Sequence, residues 1–291
     1  MFLNGTIMID KLVDTHIHVW DLQQAEYSWL KGDTSILNRT YDLDELEPQR
    51  KAAAITTGVL VQAANNAEDT AGMIRTAESH DWITGVVGWL PLKDPIATAR
   101  IVEGQYGPDS YLKGVRHLIH NEPDPEWLLQ DNVLESLGLL ARLDIPYDLV
   151  GVLPAHIHTA LKVAEKHPHL RMVFDHFNQP PIANGARKHP WERLMREAAT
   201  HPNFHVKISG LGTAAGKGQE WTTEDLEPCI EFALHYFGED RCFCGGDWPV
   251  SLLAGTYENT WNAYRTLFEK YLQPEGQAKL FHRNAERFYK L

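Results

Sequence analysis

Short apolar runs alternate with longer amphipathic segments along the chain. Eight of these runs have the composition of strands, and they lie at residues 9–14, 57–62, 83–89, 112–118, 145–150, 171–176, 204–209 and 241–247. Short apolar runs that are bounded by polar or turn-forming residues are typical of buried strands. The pattern therefore predicts eight strands, of which the fifth is the weakest.

The segments between these runs have apolar residues at helical spacing. Seven helices are predicted, at residues 69–80, 94–103, 131–143, 154–167, 190–201, 223–237 and 256–271. Several begin with Asp, Thr or Pro, which are common at the starts of helices. Strands that alternate with helices indicate the α/β class, and eight repeats favour a (β/α)8 TIM-type barrel.

An open, doubly wound sheet is the alternative α/β fold. A nucleotide-binding sheet of that kind has a glycine-rich turn after an early strand, and the sequence has no G-x-G-x-x-G or Walker pattern there. No repeat, low-complexity tract or linker divides the chain. We therefore expect one barrel domain over residues 1–291, a length that single barrels commonly reach.

Charge and cysteine content restrict the partner and the compartment. The formal net charge is -12, which disfavours nucleic acid and anionic membranes because both attract basic surfaces. Cys242 and Cys244 are too close on one predicted strand for an ordinary disulfide, and neither a signal peptide nor a membrane span is visible. We expect a cytoplasmic protein with a small-molecule partner, and the sequence leaves the oligomeric state open.

Polar side chains occur at the ends of four predicted strands. His16 and His18 end the first strand, Arg116 lies late in the fourth, His176 ends the sixth and Asp247 ends the eighth. Residues two apart on a strand project to the same face, so the two histidines of the first strand can share one target. The carboxyl ends of barrel strands assemble the active site. Their convergence favours an active site over unrelated surface or core histidines.

The motifs that contain these residues resemble the amidohydrolase superfamily. The resemblance is carried by residues 14–18 (Asp-Thr-His-Ile-His), 175–176 (Asp-His) and 246–249 (Gly-Asp-Trp-Pro). A fuller set resembles the lactonase branch, which includes sugar lactonases and aromatic-degradation lactonases. That set adds residues 20–21, 114–117, 121–128, 177–180 and 207–211.

The resemblance implies hydrolysis of a small lactone to its hydroxy acid. It implies that Asp247 is the general base on water, while His16, His18 and His176 surround the carbonyl. The residue types suit these roles, because a carboxylate can accept a proton and imidazole N–H groups can stabilise an oxyanion. Arg116 would bind a carboxylate or the polar substituents of the ring through its planar guanidinium.

Three further residues are candidates for substrate contact. Gln62 ends the second predicted strand at a position that matches the family, and Trp89 and Trp248 could cover a sugar ring. Packing in the barrel is the alternative role for each tryptophan. A sugar-derived aldonolactone is preferred over an aromatic polycarboxylate, because polyanions usually recruit several basic groups and Arg116 is the obvious one here. Arg39, Lys207 or Arg187 would weaken this preference if their side chains reached the active site at the carboxyl ends of the strands.

The candidate catalytic residues also suit a single zinc ion. His16, His18, His176 and Asp247 form a plausible mononuclear shell. The usual strand-five ligand of the superfamily is missing, because the fifth predicted strand offers only Asp148 inside the run. That departure argues against a two-metal centre, and the lactonase branch includes members that work without metal. No required cofactor is therefore the leading expectation, with one Zn²⁺ as the alternative.

Two other functions stay open. A zinc-dependent decarboxylase or amide hydrolase of the same superfamily would hold zinc tightly and lose activity on chelation. A catalytically silent barrel would bind its small molecule even after Asp247→Asn and would show no turnover. The lactonase motifs place hydrolysis of a sugar-derived lactone ahead of both alternatives.

Overall fold

The computed structural model describes residues 11–184 and 190–291, and a ring of eight parallel strands lies at its centre. The strands are β1 (Val13–Ile17), β2 (Thr57–Val61), β3 (Ile83–Gly88), β4 (Leu112–His117), β5 (Tyr147–Leu149), β6 (Met172–Phe174), β7 (Phe204–Ile208) and β8 (Cys242–Cys244). Each strand pairs in parallel with the next. The segment after β8 meets β1, where the backbone N of Asp247 donates to His16 O at 2.8 Å. The predicted α/β barrel is confirmed.

Helices follow the strands around this ring. In the described residues they are α1 (Leu43–Ala52), α2 (Ala67–Glu78), α3 (Pro95–Gln105), α4 (Asp131–Arg142), α5 (Pro154–Lys166), α6 (Pro190–Ala199), α7 (Leu211–Ala214), α8 (Thr223–Tyr236), α9 (Tyr257–Tyr271), α10 (Pro274–Ala278) and α11 (Asn284–Tyr289). All seven predicted helices are present, with ends that differ by no more than two residues. The helices α1, α7, α10 and α11 were not predicted.

The first strand differs most from its predicted position. The sequence pattern predicts a strand over residues 9–14, whereas β1 covers Val13–Ile17; residues 9 and 10 lie outside the described residues. The register of β1 against β2 shifts between Asp14 and Ile17. Strict alternation would put Val13 and His16 on opposite faces, yet Val13 packs in the inner cluster and His16 contacts inner side chains. The register shift therefore turns the histidine pair inward.

The lower part of the barrel interior, toward the amino ends of the strands, is apolar. Its members come from five strands and from α11, and they are Val13, Val59, Val61, Val87, Val173, Phe243, Ala285, Phe288 and Tyr289. Helix α11 thus closes the interior from the end opposite the histidines. The hydroxyl of Tyr289 reaches further in and donates to Asp148 Oδ2 at 2.7 Å.

None of the helices in residues 11–184 and 190–291 combines the length and the apolar composition that a membrane span needs. The extent of the predicted domain, residues 1–291, stays a prediction because it includes segments outside the described ranges.

Candidate active site

A cavity of about 190 Å³ opens at the carboxyl ends of the strands. The residues around it come from the end of β4 and from the segments that follow β1, β2, β4, β5, β6, β7 and β8. They are His18, Trp20, Trp29, Ala63, Arg116, Leu118, His120, Val150, Val152, His176, Gln179, Gly210, Thr213, Asp247 and Val250. This position agrees with the strand-end rule for barrel enzymes.

Asp247 lies at the bottom of this cavity, three residues after β8. Its Oδ1 atom is 3.6 Å from Nε2 of His18 and 3.8 Å from Nε2 of both His16 and His176. This oxygen is buried and has no hydrogen-bond partner among the described residues. Burial raises the pKa of the Asp247 carboxyl above its usual value, which makes the carboxylate a stronger base. A buried oxygen without a partner needs an explanation, and a role in binding or chemistry is one.

The backbone around Asp247 is fixed by a second buried carboxylate. Asp14 accepts hydrogen bonds from Gly246 N at 2.8 Å and from the Tyr257 hydroxyl at 2.6 Å. A Cβ at position 246 would lie 2.4 Å from the Tyr257 ring and 2.5 Å from Asp14 Oδ2, so this close approach requires glycine. Asp247 itself has a φ of 56°, an unfavourable conformation for an aspartate that the surrounding contacts maintain.

The three histidines are buried. His18 and His176 are oriented by a contact at Nδ1, and His16 is oriented by its neighbour His18. His18 Nδ1 is 2.7 Å from the carbonyl oxygen of Val61, and His176 Nδ1 is 2.9 Å from Ser209 Oγ. His16 Nε2 lies 3.1 Å from His18 Nε2. Burial lowers the pKa of His16 well below its usual value, lowers that of His18 to about 3, and also lowers that of His176. All three imidazoles are therefore neutral near pH 7.

His176 reaches the cavity through a stretch of left-handed backbone. The four residues after Asp175, His176 to Gln179, have φ values between 50° and 52°. Opposite them, Gly210 has a φ of 61°, and a Cβ there would lie 2.8 Å from His176 Nδ1 and 3.0 Å from Asp247 Oδ2. Non-glycine residues rarely adopt this conformation, so its concentration at the mouth marks strain at the candidate site.

Four charged side chains form an interior ion cluster directly beneath the histidines: Arg116, Asp148, Asp175 and Lys207. Lys207 Nζ lies 2.7 Å from Asp148 Oδ2 and 2.8 Å from Asp175 Oδ1. Arg116 NH1 donates to Asp175 Oδ2 at 3.0 Å. Burial alone would raise the pKa of Asp175, but the neighbouring cations Lys207 and Arg116 hold it well below the usual range. The cluster balances two cations against two carboxylates inside the barrel.

The structure brings the four predicted catalytic residues together and also places Arg116 on the cavity wall. The guanidinium is already engaged, since NH1 donates to Asp175 and NH2 donates to Gln62 O. Its Nε has no partner among the described residues. A substrate group would therefore contact the Nε edge of this guanidinium, because NH1 and NH2 already donate to protein oxygens.

Gln62, Trp89 and Trp248 do not line the cavity, which corrects their predicted positions. Gln62 is fully buried and donates through Nε2 to Asn65 Oδ1 at 3.1 Å, behind Arg116. The indole N–H of Trp89 donates to His117 Nδ1 at 3.1 Å. Trp248 is fully buried because its backbone pairs with β1 and its ring packs against Tyr41, at 5.4 Å between ring centroids.

Other residues form the aromatic and polar parts of the cavity wall that Gln62, Trp89 and Trp248 were expected to form. Trp20 and Trp29, from the segment after β1, supply the aromatic wall, and His120, Gln179 and Thr213 supply polar groups. Asp175, the buried partner of both cations, was not among the predicted site residues. The adjacent polar residues at 175 and 176, at the end of an apolar run, are the signal that could have indicated it.

The ligand atoms of His16, His18 and Asp247 suit a metal ion, but the two cations beside His16 disfavour one. Ligand atoms of His16, His18 and Asp247 all lie within 4.8 Å of one another. Neutral imidazoles and a carboxylate oxygen without a partner are the donors that zinc prefers. However, Lys207 Nζ and Arg116 NH1 lie 3.2 and 3.3 Å from the two ring nitrogens of His16. His176 does not belong to this group of converging ligand atoms.

Comparison with known proteins agrees with the motifs. The model of the amidohydrolase family matches residues 13–291. An L-fucono-1,5-lactonase of Burkholderia ambifaria is 32% identical over 96% of this chain and 95% of its own length. A second L-fucono-1,5-lactonase, of Burkholderia multivorans, is 30% identical over 96% of both chains. These matches confirm the resemblance that the strand-end motifs indicated.

Solved structures agree with the fold. A crystal structure of an amidohydrolase from Burkholderia multivorans with bound zinc has a TM-score of 0.88 and 30% identity, over 97% of this chain and 99% of that one. A 2,6-dihydroxybenzoate decarboxylase has a TM-score of 0.61 at 17% identity, over 96% of this chain and 98% of that one, which shows only that the fold is shared. The family match over nearly the whole chain decides the classification. The chain belongs to the amidohydrolase family.

Proposed function

We propose that this protein is a lactonase that opens a small sugar-derived lactone to its hydroxy acid. One observation carries the proposal: the partnerless oxygen of Asp247 faces the cavity within 3.8 Å of three neutral imidazoles. A base beside neutral N–H donors is the arrangement that water attack on an ester carbonyl requires. Two relatives at 30% and 32% identity are named L-fucono-1,5-lactonase, which supports the same reaction.

Asp247 is the proposed general base. Its Oδ1 accepts a proton from water while the water oxygen bonds to the lactone carbonyl carbon, and the carbonyl becomes an oxyanion. When the oxyanion reforms the carbonyl, the ring C–O bond breaks. The leaving ring oxygen then takes the proton from Asp247, which returns the carboxylate and releases the hydroxy acid. The raised pKa of Asp247 favours the first transfer.

The histidines are the proposed electrophilic groups. Their lowered pKa values keep the imidazoles neutral, so a ring N–H can face the oxyanion without a permanent charge. His16 and His176 are the proposed donors, because His18 donates its own N–H to Val61 O. Donors that are held in place before the reaction stabilise the developing charge without reorganisation. The contacts of His18 with Val61 and of His176 with Ser209 supply that fixed orientation.

The cavity favours a single hydroxylated ring. Its volume of about 190 Å³ is small, and its wall combines the indoles of Trp20 and Trp29 with polar groups of His120, Gln179 and Thr213. Aromatic faces pack against the apolar side of a ring, while the polar groups can bond ring hydroxyls. Among the wall residues that the structure describes, Arg116 is the only lysine or arginine, which disfavours a polycarboxylate. Arg187 lies outside the described residues.

The proposed reaction assigns every proton transfer to side chains of this chain. His16, His18 and Asp247 are the residues that would hold a zinc ion, which when bound supplies Lewis-acid polarisation of a carbonyl. We propose that the protein does not require it.

The test is a pH-indicator assay on a panel of aldonolactones, with and without chelator. Wild type should open at least one lactone in both conditions, and Asp247→Asn should not. Asp81→Asn is the matched control, because Asp81 is an exposed carboxylate just before β3, far from the mouth. Turnover that vanishes with chelator would favour a zinc hydrolase. Loss of carbon dioxide from a carboxylate substrate, with no lactone opened, would overturn the proposal.

A further inference from the structure

Lys207 is a buried cation that contacts a catalytic histidine. Its ammonium donates to Asp148 Oδ2 at 2.7 Å and lies 3.2 Å from His16 Nδ1 in hydrogen-bond geometry. An ammonium has donors only, so the ring nitrogen that it contacts must accept. In the neutral imidazole the proton then lies on the other nitrogen, and His16 carries it on Nε2.

The neighbouring histidine leads independently to the same assignment. His18 Nδ1 is 2.7 Å from Val61 O, and because a carbonyl only accepts, His18 carries its proton on Nδ1. Its Nε2 therefore has a free lone pair. That lone pair faces His16 Nε2 at 3.1 Å, so the hydrogen between the two rings must come from His16. The contacts of Lys207 with His16 and of His16 with His18 thus agree on one set of tautomers. Arg116 NH1 also lies near His16 Nε2, but its 3.3 Å contact is the longest of the three, and NH1 already donates to Asp175 Oδ2 at 3.0 Å.

The opposite tautomer of His16 is the one that metal binding needs. A ligating histidine usually donates its second ring nitrogen to a carboxylate or carbonyl, which leaves a lone pair for the metal. Asp175 Oδ1 is available for this at 3.5 Å from His16 Nδ1, but Lys207 Nζ is closer, at 3.2 Å. In that tautomer the lone pairs of His16 and His18 would face each other at 3.1 Å, and a metal ion between them would relieve the repulsion.

We propose that Lys207 holds His16 in the Nε2–H tautomer and thereby weakens zinc binding by His16, His18 and Asp247. In the free site this N–H donates to His18 Nε2, and a bound lactone oxyanion can accept it in place of His18; this part of the inference rests on the proposed function. Lys207 acts through His16 and is a positioning residue. Its own position is fixed by Asp148, which Tyr289 of α11 supports with a 2.7 Å hydrogen bond.

The first test measures zinc affinity without any substrate. The variant is Asp148→Asn with Lys207→Met, which removes the ammonium together with its balancing carboxylate and leaves Asp175 paired with Arg116. Competition of metal-free protein with a chromophoric chelator should show zinc binding that is tighter than wild type by on the order of tenfold, the scale expected for partners of metal ligands. Tyr289→Phe perturbs the same cluster but keeps the ammonium, so it should retain wild-type affinity.

The second test does not depend on a variant that folds without Lys207. Nitrogen NMR of metal-free wild type, labelled with ¹⁵N in histidine, should show His16 protonated on Nε2 and His18 protonated on Nδ1. A His16→Gln spectrum assigns the resonances. A proton on Nδ1 of His16, or an unchanged zinc affinity in the folded double variant, would overturn the inference. Neither readout involves a lactone, so failure of the lactonase proposal would be recognised separately.

Discussion

The two ends of the barrel interior differ in how completely their groups are satisfied. At the amino end, valines from the strands pack with Phe243, Phe288 and Tyr289, and none of these residues has a positive φ. At the carboxyl end, Asp247 has an oxygen without a partner, and both Asp247 and His176 have positive φ values. Stability is built where contacts are complete, and chemistry is available where a polar group has been buried and left incomplete.

Asp69 is a second buried carboxylate, and, unlike Oδ1 of Asp247, its oxygens have hydrogen-bond partners. Asp69 is as buried as Asp247, but its oxygens accept from the Tyr27 hydroxyl at 2.8 Å and from the backbone N of Ala63 at 2.9 Å. Burial raises the pKa of both groups. The two residues therefore share a shifted pKa and differ in whether a partner is present, so only Asp247 is free to react with a bound molecule.

The largest expected effect comes from Asp247→Asn. Removal of the proposed general base should lower kcat for lactone hydrolysis by roughly 10²- to 10⁴-fold. The free energy of unfolding should not fall, because the variant removes a buried charge that lacks a hydrogen-bond partner on one oxygen. Paired turnover and urea-unfolding measurements check this. If Asp247→Asn lowered the free energy of unfolding as well as kcat, it would contradict the view that the carboxyl end of the barrel serves chemistry rather than stability.

Phe288→Ala should lower stability and leave activity unchanged, which is the reverse of the effect expected for Asp247→Asn. The ring is buried against Phe243 at 5.3 Å and against His205 at 4.7 Å between centroids. Its removal should lower the free energy of unfolding by about 3–5 kcal/mol, the usual cost of a phenylalanine cavity. Activity per folded molecule should stay at the wild-type level, since α11 lies at the far end of the barrel. A large fall in kcat at 25 °C in fully folded protein would contradict this.

The pKa of Asp69 predicts a dependence of stability on pH. Burial raises it from 3.8 to about 6, so the folded protein holds this proton more tightly than the unfolded chain. The contribution of Asp69 is therefore complete below pH 3.8 and is lost as pH rises through about 6, by up to about 1.4 kcal/mol per pH unit. Unfolding of wild type and Asp69→Asn across this window should show a difference with that slope, and a constant difference would refute it.

Gly210→Ala should produce the smallest effect and should affect both properties. The added Cβ would meet His176 Nδ1 at 2.8 Å, at a position with a φ of 61°. The unfavourable backbone should cost roughly 1–2 kcal/mol of stability. Displacement of His176 should lower kcat by up to roughly 10²-fold, as small misplacements of catalytic groups do. Wild-type kcat in this variant would show that His176 does not need its observed position.

The strand ends were predictable from the sequence because the barrel rule acts on strand order alone. Once eight strands are recognised, His16, His18, His176 and Asp247 must meet at one mouth, whatever the loops do. The same rule does not fix which way a residue inside a strand points. Lys207 and Asp148 lie inside apolar runs, and their inward direction depends on the register of strands that are distant in sequence.

Loop paths account for the incorrect predictions. Trp248 follows a motif residue directly, but its backbone pairs with His18, and its ring is buried. Trp20 and Trp29 come from a long segment whose course over the mouth has no periodic signal. Helix α1 was missed because Pro48 interrupts an already polar pattern, although Asp42 caps it by accepting from Glu45 N.

The most direct test of Asp247 as the base is the pH dependence of kcat/KM for an aldonolactone, measured in chelator. The base must be deprotonated, so the rate should fall as pH drops through the pKa of Asp247 in the free enzyme. Because burial raises that pKa, the fall should lie above the usual carboxyl value of 3.8. A profile that stays flat through the acidic range in folded enzyme would contradict the account.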